Sequence, residues 1–82
     1  MTKDASTMLD KFLRKIPSFM RELDLSRVES LDDLLFQVSH EIDLQEEQGH
    51  ESDNPWTRKQ MHRAKMFHAS INIAILDANR IK

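Results

Sequence analysis

Four histidines, at positions 40, 50, 62 and 68, and fourteen acidic side chains are the groups in this 82-residue chain from which a metal site or an acid–base pair could be built. The best-spaced pair is Glu47 with His50, an E-x-x-H arrangement that sets a carboxylate and an imidazole one helical turn apart, as in the di-metal sites of helical bundles. Such sites use the motif twice and aim it into a core. Here it occurs once, with Gly49 inside it and the polar run from Gln45 to Asp53 around it. His40 and His62 fall away from the apolar stripes of their segments, and only His68 flanks one. The histidines therefore read as solvent-facing or core-edge side chains, and no metal or other cofactor is expected.

Covalent and acid–base chemistry find as little footing. The chain has no cysteine and one glycine, so it offers no thiol nucleophile, no thiolate zinc site, no disulfide framework and no Gly-rich phosphate loop. None of its serines sits in a nucleophile-elbow context. The adjacent Asp32 and Asp33 are explained by the first turn of a helix, where negative charge opposes the positive end of the dipole. No catalytic residue, and hence no enzyme or small-molecule substrate, is expected.

The remaining chemistry is charge, and it lies in blocks that the net value of -2 conceals. Residues 1–27 carry six bases and four acids. From Val28 to Asn54 there are nine acids and no Lys or Arg, and from Pro55 onward six bases accompany the single acid Asp77. Arg58, Lys59, Arg63 and Lys65, with His62 and His68 between them, place positive charge at the start of a helix, where the dipole is already positive and each cation costs a few tenths of a kcal/mol. Three partners could offset this, the last of them an acidic protein. The acidic end of the preceding segment (Glu41, Asp43, Glu46, Glu47) would lie alongside if the two segments form an antiparallel hairpin. Alternatively, the run is a nucleic-acid footprint using Arg58, Lys59, Arg63 and Lys65. A sequence pI near 6.0 favours the internal partner.

Three helices must carry these groups. With one glycine and two prolines the chain lacks turn residues for several hairpins. Leu9, Phe12, Leu13, Ile16, Phe19, Met20 and Leu23 share one stripe at helical spacing, which predicts a first helix running through Pro17 with a kink. After a loop at 24–26, two start signals overlap, Ser26 with Glu29 and Ser30 with Asp33. Leu31, Leu34, Leu35, Val38 and Ile42 make the stripe of a second helix, fraying near Gln48 and stopped by Gly49. Asn54 as cap and Pro55 as first residue predict the start of a long third helix. Trp56, Ala64, Phe67, Ile71, Ala74, Ala78 and Ile81 line one face of it. The predicted core is Leu9, Phe12, Ile16, Leu23, Leu31, Leu35, Val38, Ile42, Ala64, Phe67, Ile71 and Ala74.

The fold class expected is thus all-α, a three-helix domain over residues 1–82 with helices two and three as an antiparallel hairpin across the 49–54 turn. A chain this short buries only about 60–65% of its unfolded surface and supports one core. No stretch approaches the ~20 apolar residues of a membrane span, and Met1-Thr2-Lys3-Asp4 leads into no apolar signal region, so a cytoplasmic location is expected. Met66, Ile73 and Leu76 lie off the third helix's main stripe and give it a second apolar face, which is either internal or shared with another molecule. Phe36 and Leu44 are likewise off the second helix's stripe. These features predict a small protein-binding adaptor, regulator or chaperone-like subunit, homodimeric, with Phe36, Trp56, Met66, Ile73 and Leu76 as anchors. The basic run gives the alternative, a small nucleic-acid-binding regulator.

Overall fold

A computed structural model describes residues 2–49 and 55–80. Among them lie three α-helices, α1 (Thr2–Leu13), α2 (Leu31–Gln48) and α3 (Arg58–Arg80), with a single 3-10 turn at Leu25–Arg27 and no strand. Helices α2 and α3 pack against each other.

The first helix is shorter than its stripe predicts. It ends at Leu13, four residues before Pro17, so the expected kinked helix through Pro17 is not formed. Two properties of proline account for the stop. Pro17 has no N–H to donate to the Leu13 carbonyl, and its ring disfavours helical angles at Ile16. A turn follows instead, in which the Met20 N–H donates to the Pro17 carbonyl at 3.0 Å. The chain then runs irregularly alongside α2. The Glu22 N–H donates to Glu41 Oε2 at 3.4 Å and the Asp24 N–H to Gln37 Oε1 at 3.2 Å, so two α2 side chains one turn apart replace the missing helical acceptors. The stripe stays in phase because its residues still face the core. Met20 is buried, and Ile16, Phe19 and Leu23 are half-buried.

Of the two overlapping start signals for α2, the later one operates. Ser30 is the cap, in extended conformation, and its hydroxyl accepts from the Asp33 N–H at 3.3 Å. Asp33 Oδ2 reaches back to accept from the Glu29 N–H at 3.0 Å, which gives that acid a local structural task. The helix closes at Gly49, whose backbone stays right-handed at φ -56, ψ -38. Its use there is close approach, since a Cβ would sit 2.9 Å from Gln45 Oε1. That oxygen is engaged, accepting from the Trp56 N–H at 3.2 Å.

The third helix starts later than Pro55. Its cap is Thr57, whose hydroxyl accepts from the Gln60 N–H at 3.1 Å while Gln60 Oε1 accepts from the Thr57 N–H at 2.9 Å. This reciprocal capping box satisfies two donors at once and outcompetes the proline signal, which lies three residues outside the helix. Asn54, expected as the cap, and residues 50–54 of the expected turn lie outside the described residues.

One core cluster forms between α2, α3 and the N-terminal segments. Its buried members are Met20, Leu34, Val38, Ile42, Ala64, Phe67 and Ile71, with Phe12 against Phe67 at 6.1 Å between centroids. Leu9, Phe12, Ile16, Leu23, Leu31 and Leu35 pack on it half-buried. From Leu76 to Arg80 every residue of α3 is exposed, including Ala78, which continues the core stripe.

Candidate interaction surface

The outer face of α3 is built by helical spacing alone. Met66, Ala69, Ile73 and Leu76 recur at intervals of three and four, so they fall on the side opposite Ala64, Phe67, Ile71 and Ala74. All four are exposed. Met66, Ile73 and Leu76 keep 57%, 58% and 59% of their surface in contact with solvent, which settles that no part of the described chain covers this face. Its ends are polar. Arg58, Lys59 and His62 precede it and Arg80 follows it, all exposed.

Helix α2 has an outer face of the same kind with the opposite charge. Phe36 is 69% exposed and lies parallel to the His40 ring, centroids 6.3 Å apart. Leu44 is exposed on the same side, two turns on, and Asp32, Asp43 and Glu47 surround the pair, all exposed. The imidazole of His40 thus shields one side of an otherwise uncovered phenyl ring.

Trp56, grouped by sequence with the exposed anchors, is half-buried and packs on the core cluster. Phe19 meets its ring edge-on, 5.1 Å between centroids at 79°. The guanidinium of Arg63 lies 6.0 Å above the same Phe19 ring, the range of a weak cation–π contact. This small stack closes the end of the core where α3 begins.

The basic run is divided among different tasks. Lys65 Nζ pairs with Glu46 Oε2 at 3.1 Å, a bridge between α3 and the acidic end of α2. Arg63 is drawn to Phe19, whereas Arg58 and Lys59 form no ion pair among the described residues. Internal compensation of the charge blocks amounts to that one pair between α2 and α3 within the described residues.

Glu41, grouped by sequence with the acids expected beside the basic run, instead turns into the core and accepts from the Glu22 N–H. It is buried, at 3% exposure, and its Oε1 has no hydrogen-bond partner. Burial raises its pKa above the ordinary carboxyl value, and the nearby Glu22 carboxylate adds to this, while the N–H groups of Glu22 and Arg21 pull it the other way. The signal was present, because Glu41 falls in phase with Leu34, Val38 and Gln45 on the inner face of α2. No cluster of three or more metal-ligating side chains occurs among the described residues, and His50 lies outside them.

The chain matches no family model, no curated protein and no solved structure. No helix of the described residues is long and apolar enough to cross a membrane.

Proposed function

We propose that this chain is a small non-catalytic protein-binding subunit, an adaptor, regulator or chaperone-like part, that acts through the apolar outer faces of its helices and associates with itself. The observation that carries this reading is the run Met66, Ile73 and Leu76 on α3, each more than half exposed and none covered by another of the described elements. Covering one such side chain gains roughly 1–2 kcal/mol, so two copies sharing several of them offset part of the entropy of association. Phe36 on α2 adds an aromatic anchor of the kind enriched at protein contacts. The pair between Glu46, near the end of α2, and Lys65, early in α3, supports the antiparallel arrangement of these two helices.

The test is the double substitution Ile73→Asp, Leu76→Asp, read by sedimentation equilibrium and circular dichroism. A folded monomer is expected where the natural chain is a dimer. An unfolded product would make the two residues part of the core and overturn the reading, as would a natural chain that is monomeric at every concentration.

A further inference from the structure

The two outer faces match in layout and oppose in charge. Helix α2 carries six acids and no base, and its outward side presents Phe36 and Leu44 among Asp32, Asp43 and Glu47. Helix α3 carries five bases and one acid, and its outward side presents Met66, Ile73 and Leu76 between Arg58, Lys59 and His62 at one end and Arg80 at the other. Like faces repel. Two α3 helices face to face would bring two net-positive surfaces together, and two α2 helices would juxtapose Asp32, Asp43 and Glu47 of each copy. Joining α2 of one copy to α3 of another covers both apolar patches and neutralises both blocks, and complementary charge of this kind selects the partner and the register of a contact.

We infer that the outer face of α2 docks on the outer face of α3 of a second copy of this chain. This rests on the self-association proposed above and specifies which faces meet. With the helices running in opposite senses, Phe36 falls between Ile73 and Leu76 of the second copy, and Leu44 falls beside its Met66. The same register puts Glu47 at His62, a turn from Lys59, and Asp32 beside Asp77, within a turn of Arg80. A parallel alignment matches Phe36 to Met66 and Leu44 to Ile73, with Asp32 at His62 and Glu47 beside Asp77, within a turn of Arg80. Either register brings acid to base at both ends, with the apolar contacts in the middle. The contact joins two different faces and is therefore heterologous, and the rotation between neighbouring copies sets whether it closes into a ring.

Mixing two blocked variants decides it. Phe36→Asp disables the α2 face and Ile73→Asp the α3 face, and both positions are exposed, so circular dichroism should show both chains folded. Each variant alone is expected to sediment as a monomer, with association weakened about tenfold or more. An equimolar mixture is expected to form a one-to-one complex, because the intact α2 face of one variant meets the intact α3 face of the other. A Phe36→Asp chain that dimerises like the natural one would overturn the inference in favour of α3 against α3, leaving the self-association reading intact. A mixture that stays monomeric would overturn it too. A monomeric natural chain would overturn both. Should either variant fail to fold, the exposed pair Glu47→Lys and Lys59→Glu gives the same readout, each weakening self-association and the mixture restoring it.

Discussion

Glu41 occupies a position that the apolar stripe of α2 assigns to the core, and it is held there by the Glu22 N–H. Its other oxygen is buried without a partner, and burial raises its pKa above 4.5. For an acid whose folded pKa is raised, the folded state binds the proton more tightly than the unfolded one. The resulting stability is fully present below the ordinary carboxyl pKa and is lost as pH rises through the raised value. Glu41→Gln keeps an oxygen for the Glu22 N–H and removes the buried charge. It is expected to raise stability at neutral pH, where the carboxylate would be buried in its charged form, and to bring no gain in acid below the carboxyl range, where the carboxyl is already neutral. Urea titrations at the two pH values measure this, and a loss of stability at neutral pH would mean that the charge is supported by something else. Glu41 was legible as a phase, one acid in register with Leu34 and Val38, but periodicity cannot distinguish an acid that tucks in from one that reaches out.

Helix existence was readable from apolar spacing, and helix ends were readable only where one signal had no rival. Ser30 with Asp33 won over Ser26 with Glu29 because the second stripe begins at Leu31, directly after it. At α3 the expectation followed proline, whereas the capping box of Thr57 and Gln60 sets the start. Thr57→Ala is therefore expected to cost about 1 kcal/mol in chemical denaturation, as the loss of a helix cap does elsewhere. At the first helix the in-phase stripe misled, because a segment can turn its apolar residues to a core without being helical. The packing of α2 on α3 was the most legible feature, and its most sensitive point is Phe67, which touches Phe12 and lies within the cluster. Phe67→Ala is expected to cost about 3–5 kcal/mol, a large share of what so small a domain holds, and to leave a protein unfolded or nearly so by circular dichroism.

Charge distribution is the property that belongs to the molecule as a whole. If the blocks served mainly to hold α2 against α3, many bridges would cross between those helices. Among the described residues only Lys65 with Glu46 does so, and both side chains are about half exposed. Pairs of that kind contribute ~0.2–1 kcal/mol and are screened by salt, so internal pairing leaves most of the acidic and basic surface unused. The outer residues that would use it lie beside Phe36, Met66, Ile73 and Leu76, which places charge and uncovered apolar surface on the same two faces. Folding and association should then respond differently to ionic strength. Thermal melts of the monomeric Ile73→Asp, Leu76→Asp chain are expected to change little between low and high salt. Sedimentation of the natural chain over the same range should show its dimer weakening several-fold as salt screens the facing blocks, with the apolar middle of the contact keeping some dimer at high salt. The reverse pattern, melts that fall with salt and a dimer that does not, would return the charge blocks to the interior of a single chain and leave the apolar faces alone to select the partner.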